Sequence, residues 1–385
     1  MVSIKIGVGM IGYNIGRAHA HAWNALSEYY YPLKCKPKLV GISGRTKHLA
    51  AEVAERYGFE KTYSDWHELV KDESVTVVDN CAPPAVHSES MIIAAELGKD
   101  LICEKPLART AREAQKMLRA AEKARVRHML GYNYRFLPAV AFVRDMIKEG
   151  LLGKIYYFKG AYFCVNGDYD DPTSEFRWQQ QSKFAGYGAL SDLGTHVLDL
   201  ARYLVGEVSS VSGVSETYIK KRPLTKNSNK MGTVDVDDIT IASLRFKDGA
   251  LGLLETSWIA SGRMDYLRFE VYGSLGTVRF NLEKINELEI FFRNPSSPNT
   301  TRGFTNVQVL NKDHPFVKKF WPNQGGGFSW EHTFVNELYH YVNAIEKNSR
   351  IEPQGATFYD GYRNCLIMDS IMESARSGKW VKLPD

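Results

Sequence analysis

The sequence predicts an α/β protein of two domains: a doubly wound parallel sheet first, then an α/β domain on a large, mostly antiparallel open sheet. Three observations carry this expectation. The chain has 385 residues, more than one small core organises. Its first third alternates short apolar runs with Ala- and Glu-rich helical runs, the grammar of right-handed crossovers between parallel strands. After about Tyr132 the pattern changes to long strand-like runs joined by tight turns, which suits antiparallel pairing. The division is therefore placed at 1–131 and 132–385.

In order, Val2 to Ile11 is a buried strand, Gly16 to Leu26 a helix and Lys38 to Ile42 a strand. His48 to Tyr57 is a helix, Val75 to Cys81 a β-branched strand, and His87 to Leu97 a helix closed by Gly98. Asp100 to Cys103 is a strand, Thr110 to Ala124 a helix, and Arg127 to Gly131 a last strand. In the second domain, helix Ala139 to Glu149 leads into strands Lys154–Phe163, Val208–Ile219, Ile239–Phe246, Ala250–Trp258, Tyr266–Tyr272, Val278–Leu282 and Glu287–Phe292. Turns such as Lys247-Asp248-Gly249 join neighbours, and helices Trp330–Glu346 and Asp360–Arg376 close the chain, with Gly378 suited to the C′ position. Pro-Ser-Ser-Pro at 295–298 and Gly325-Gly326-Gly327 read as loops.

Composition narrows the function. Apolar residues are 44% and charged residues 24%, ordinary for a globular chain. A net charge of +5 over this length is too weak a field to imply nucleic acid or an anionic membrane. No uninterrupted apolar run spans a bilayer, and the N-terminus starts a strand rather than a signal peptide. The five cysteines (Cys35, Cys81, Cys103, Cys164, Cys365) contain no C-x-x-C and read as reduced thiols of a cytoplasmic protein without zinc.

The literal G-x-G-x-x-G, Gly7-Val8-Gly9-Met10-Ile11-Gly12, falls inside the first strand. The turn that could cradle a pyrophosphate is Gly12-Tyr13-Asn14-Ile15-Gly16, directly before a helix N-terminus. The second strand ends Ser43-Gly44-Arg45 without an acidic residue. Ser43 and Arg45 would suit a 2′-phosphate, or Arg45 is a surface side chain, so NAD and NADP both remain open.

Glu104-Lys105-Pro106 leaves the fourth strand at the edge where parallel sheets bind ligands, and Pro106 stiffens the turn that presents Lys105. A lysine held there can donate to a developing alkoxide; the plainer alternative is a solvated one. In Gly186-Tyr187-Gly188-Ala189-Leu190-Ser191-Asp192-Leu193-Gly194-Thr195-His196, Asp192 and His196 are four apart on a helix. That spacing wires a general base or makes an ordinary ion pair. No second histidine accompanies Asp199, so a metal is not expected; His19 and His21 point to different helix faces. Trp178 walls a sugar site or sits in a core.

Glu104-Lys105-Pro106, Cys81-Ala82-Pro83-Pro84-Ala85-Val86-His87, Gly131-Tyr132-Asn133-Tyr134-Arg135, Asp192-x-x-x-His196 and Asp360-Gly361-Tyr362-Arg363 follow one another in order. Together they resemble the glucose–fructose oxidoreductase / inositol dehydrogenase / rhizopine-catabolism (Gfo/Idh/MocA) family over essentially the whole chain. Arg17-Ala18-His19, Asn133-Tyr134-Arg135 and Tyr203-Leu204-Val205-Gly206 are most similar to its levoglucosan and scyllo-inositol (L-glucose) dehydrogenase branch.

The resemblance implies a Rossmann domain, a nicotinamide cofactor (NAD or NADP), a polyol substrate at the domain junction, and a homodimer or homotetramer formed through the second sheet. It implies Lys105, Asp192 and His196 as the catalytic set. Gly12, Tyr13, Asn14, Ile15, Ser43, Gly44, Arg45, Ala82, Pro83, His87, Glu104, Lys105 and Asn133 would lie beside the cofactor. Lys105, Tyr134, Arg135, Phe163, Trp178, Asp192, Thr195 and His196 would lie beside substrate. Ala82 and Pro84 replace the family's usual threonine and asparagine, which removes side-chain hydrogen bonds from that loop. The implied activity is reversible oxidation of a secondary ring hydroxyl of a sugar, anhydrosugar or inositol to a ketone. The alternatives are an NAD-dependent glycoside hydrolase working through a transient keto-sugar and a non-catalytic dinucleotide and sugar sensor.

Overall fold

The computed structural model describes residues 6–165, 168–293, 303–320 and 325–384; the loop expected at 295–298 and the first residues of the first strand lie outside them. The chain forms two compact units, Met1–Phe136 with Ser329–Cys365, and Leu137–Phe328 with Leu366–Asp385. The first of these junctions lies at 136/137, and the chain then returns to the first unit from Ser329.

The first unit begins with β1 (Ile6–Ile11), α1 (Gly16–Tyr29), β2 (Pro37–Ser43), α2 (Lys47–Tyr57), β3 (Lys61–Tyr63) and α3 (Trp66–Lys71). It continues with β4 (Val77–Asn80), α4 (Pro84–Glu96), β5 (Asp100–Glu104), α5 (Ala111–Ala124) and β6 (His128–Gly131). The strands form one sheet in the order β3-β2-β1-β4-β5-β6, and every pairing is parallel. Strands β1 and β4 are buried along their whole length, as expected of a sheet covered on both faces. The order reverses between β1 and β4, which is where ligands of such sheets bind. Glycines 7 and 9 lie within β1, where a Cβ on Gly7 would come to 1.9 Å from the Ser74 carbonyl oxygen; they serve packing, not phosphate. The sequence did not reveal β3 and α3, a three-residue edge strand and a six-residue helix.

The second unit runs through α6 (Pro138–Lys148), β7 (Ile155–Phe163), α7 (Ser182–Ala185), one π-helical turn (Leu190–Gly194), α8 (Thr195–Leu204), β8 (Val208–Glu216), β9 (Lys221–Pro223) and β10 (Met231–Thr233). Then come β11 (Ile239–Phe246), β12 (Leu251–Ser257), β13 (Tyr266–Gly273), β14 (Gly276–Asn281), β15 (Glu287–Phe292), β16 (Thr305–Gln308) and α9 (Val317–Phe320). Helix α10 (Trp330–Lys347) belongs to the first unit, α11 (Phe358–Ser377) passes from the first unit to the second after Cys365, and β17 (Val381–Lys382) ends the second. Among the described residues the large sheet has the order β16-β15-β14-β13-β7-β12-β11-β8-β17. It is antiparallel except for the β12–β7 pair.

Burial alternates along β11, so one face of this sheet is core and the other open. On the core face a Cβ at Gly160 would come to 2.4 Å from the Val197 side chain, so α8 lies directly on β7. That seating fixes the His196 backbone. Gly378 stands at φ +69° and donates to the Ser374 carbonyl, the αL stop expected for α11.

Candidate functional site

In the first unit the β1–α1 turn is built around Gly12. Its φ is +95°, its N–H donates to the Ser43 carbonyl at 2.8 Å, and a Cβ there would lie 2.6 Å from the Cys81 carbonyl oxygen. The carboxyl ends of β1, β2 and β4 thus meet at a residue that only glycine can be. Tyr13 leans on Gly44, where a Cβ would come to 2.4 Å from its ring, so the turns 12–15 and 43–45 lie together. Asn14 and Arg45 are exposed and Ser43 is buried.

Helix α1 starts after Ile15 with no side-chain cap, and the Nε of Arg17 in its first turn is buried without a partner. An uncapped helix N-terminus with an orphaned guanidinium nitrogen suits a pyrophosphate, so these residues fit a dinucleotide.

The neighbouring turns are fixed by their own side chains. Asn80 Oδ1 accepts from the Ala82 N–H at 2.9 Å and its Nδ2 donates to Ser90, which restores a side-chain tether that Ala82 and Pro84 lack. His87 is fully buried; its ring contacts the Ala82, Pro106 and Leu107 carbonyls, and burial pushes its pKa below 6.5. His87 therefore lies between the loop carrying Pro83 and the Lys105 turn, and as a neutral ring it donates to the carbonyls of one side at a time. Lys105 is half-buried, its N–H donates to Glu104 Oε2 at 3.0 Å, and its bond to Pro106 is cis. Asn133 donates to Thr333 at 2.7 Å and Tyr134 is buried beside it; Arg135 is buried and paired with Asp360 at 3.3 Å.

In the second unit Asp192 and His196 do not share one α-helix. Asp192 lies in the π-helical turn and His196 in the first turn of α8, so the α-helical i,i+4 register expected of them is widened. The turn is tied down by Asp237, whose buried carboxylate accepts from the N–H groups of Gly188 (2.7 Å) and Leu190 (2.9 Å). Burial raises the Asp237 pKa, and these hydrogen bonds oppose the shift.

Asp192 Oδ2 accepts from the indole N–H of Trp258 at 3.2 Å. Trp258 is buried against Tyr169, with centroids 4.7 Å apart, and buried Arg222 holds the Tyr169 loop through the carbonyls of Tyr169 and Asp171. His196 is 6% exposed and stands 5.9 Å from the Tyr162 ring; Thr195 is buried. Trp178 and Phe163 are half-buried, Phe163 against Tyr266.

Sequence reading missed Asp237, Trp258 and Arg222, because their partners lie 47, 66 and up to 53 positions away. It also missed a buried group in the first unit. The donor atoms of His19, Asp79 and Cys81 lie within 4.8 Å of one another, the one such group among the described residues. Both ring nitrogens of His19 already face carboxylate oxygens, of Asp79 and of Glu104, each at 3.0 Å.

A family model described as "Oxidoreductase family, NAD-binding Rossmann fold" matches residues 6–132, and one described as "Oxidoreductase family, C-terminal alpha/beta domain" matches residues 144–383. The chain is 39% identical to levoglucosan dehydrogenase of Pseudarthrobacter phenanthrenivorans over 99% of this chain and 98% of that one. It is 30% identical to myo-inositol 2-dehydrogenase of Thermotoga maritima, over 71% of this chain and 74% of the other. A solved levoglucosan dehydrogenase in complex with NADH and levoglucosan superposes with a TM-score of 0.93, covering 99% of this chain and 100% of that one, at 39% identity. The chain belongs to the Gfo/Idh/MocA family of oxidoreductases, with an NAD-binding Rossmann domain followed by the family's C-terminal α/β domain.

Proposed function

We propose that the protein oxidises a secondary ring hydroxyl of a sugar, anhydrosugar or inositol to a ketone, reversibly and with NAD. The observation that carries this reading is the full-length similarity to levoglucosan dehydrogenase, solved with NADH and levoglucosan. Bound nicotinamide supplies the two-electron acceptor.

The chain's own residues do the rest. The Gly12–Ile15 turn, Arg17 and the α1 N-terminus hold the pyrophosphate, with Ser43, Gly44 and Arg45 at the ribose. His196, largely withdrawn from water, takes the hydroxyl proton in oxidation and returns it in reduction. Lys105 steadies the oxygen as charge builds on it. Asp192, held by Trp258, binds substrate hydroxyls. Trp178, Phe163 and Thr195 shape the ring pocket. Arg135, engaged by Asp360, acts by holding the Asn133–Tyr134 turn.

Replacement of His196 or Lys105 by Ala should lower kcat by on the order of 10²–10⁴ with NADH binding retained. Stopped-flow turnover and nicotinamide fluorescence measure the two quantities. Full turnover by either variant would refute that residue's role.

A further inference from the structure

The proposed chemistry leaves one buried charged group unused. His19 is 1% exposed, in the first turn of α1, immediately after the dinucleotide cradle. Its Nδ1 stands 3.0 and 3.1 Å from the two oxygens of Asp79 on β4, and its Nε2 stands 3.0 Å from Glu104 Oε1 on β5. Ionised carboxylate oxygens only accept, so both contacts are hydrogen bonds together when both ring nitrogens carry a proton.

The surroundings agree. Trp23 Nε1 donates to Asp79 Oδ2 at 2.8 Å, the Cys81 thiol lies 3.5 Å from Asp79 Oδ1, and Phe334 of α10 packs on the imidazole at 5.2 Å. The Cys103 thiol is also close enough to sense the ring. Burial works against the proton on His19, but the charge and hydrogen bond of Asp79, with Cys81, outweigh it and raise the pKa well above 6.5.

Glu104 has a second contact. Its Oε2 accepts the backbone N–H of Lys105 at 3.0 Å. Gly131 on β6 leaves room for it, since a Cβ there would lie 2.9 Å from Oε1. A continuous line of charge-assisted bonds therefore runs from the helix of the cofactor cradle, through Glu104, to the backbone that carries Lys105. Three buried ionised groups are no better for stability than a packed apolar trio. What they supply is direction, because each bond fixes an orientation in a medium where misalignment is expensive.

We infer that His19 is a positioning residue of the reaction: by bridging Asp79 and Glu104 through both ring nitrogens, it sets the Lys105 turn in register with the dinucleotide cradle. The inference rests on the reading of Lys105 given above. A displacement of about 1 Å at a reacting group costs on the order of 10²-fold in rate, so a clamp at this place matters.

The test is the pair His19→Gln with Asp79→Asn, which removes the bridge together with one of the two buried carboxylates it pairs. The pair should lower kcat on the order of 10²-fold and weaken NADH binding, read by nicotinamide fluorescence. It should leave the KM for the polyol little changed. Placed on Lys105→Met, the same pair should cost almost nothing further in single-turnover rate, because groups that act as a unit are not additive. Wild-type kcat together with wild-type NADH affinity in the folded pair would overturn the inference, as would a full multiplicative loss on Lys105→Met. Full turnover by Lys105→Met itself would instead sink the role of Lys105. If the pair does not fold, Glu104→Gln breaks the bridge at its other end and is judged by the same two readouts.

Discussion

The residues that carry the proposed chemistry divide by how far their partners lie along the chain. Lys105 and Gly12 are legible because their conformational signals are local: a proline after one, a strand-to-helix turn around the other. His19 was not legible, because its partners stand 60 and 85 positions away and nothing in Arg17-Ala18-His19 announces them. Its buried charge has a consequence for stability. A base whose folded pKa is raised contributes stability that is fully present below pH 6.5, and loses it as pH rises through the folded value. Thermal unfolding followed from pH 6 to 10 should show an alkaline decline that is shallower in the His19→Gln/Asp79→Asn pair. An equal slope in both proteins would contradict the imidazolium.

Elements were predicted where they repeat a period and missed where they do not. Strand β11 alternates cleanly, and α5 carries a Thr110 cap bonded to the Glu113 N–H, so both were readable from composition and spacing. The π-helical turn was not, because it depends on tertiary contacts. A Cβ on Gly188 would meet the Asp237 carbonyl at 2.0 Å, and one on Gly194 would meet Leu190 at 2.9 Å. The spacing of Asp192 and His196 was right in number and wrong in helix type. Within this element Trp258 is the fixed point for Asp192. Trp258→Phe removes the indole N–H together with the five-membered part of the ring, and the lost bond should raise the polyol KM by roughly 10-fold, about one hydrogen bond to a charged group. NADH affinity should not change. Steady-state kinetics with NAD saturating reads this; an unchanged KM would remove Trp258 from the account.

At the scale of the whole molecule, the open face of the large sheet is the feature sequence reading approached only through family resemblance. Cross-strand register places Val214, Ile241, Leu251 and Tyr157 on that face, and the first three are 64%, 40% and 47% exposed. We propose that this face pairs copies of the chain into dimers or tetramers. Light scattering should report an oligomer for the native protein and a smaller species for Val214→Asp/Ile241→Asp; a native monomer would contradict the proposal. The chain's late return to the first unit could not be read from sequence, because α10 carries no label for the partner it packs against. It lies on α1, where Tyr30 stacks on Tyr339 at 3.6 Å.

The central claim is net oxidation of a ring carbinol, and one measurement reaches it. The protein is incubated with NAD and a panel of inositols, glucose epimers and anhydrosugars, each also supplied deuterated at the reacting carbon, and reduced nicotinamide and ketone are counted. The account predicts NADH and ketone in a 1:1 ratio with deuterium recovered at nicotinamide C4. Release of free sugar from a glycoside with no net NADH, or tight NADH binding with no turnover on any polyol, would contradict it.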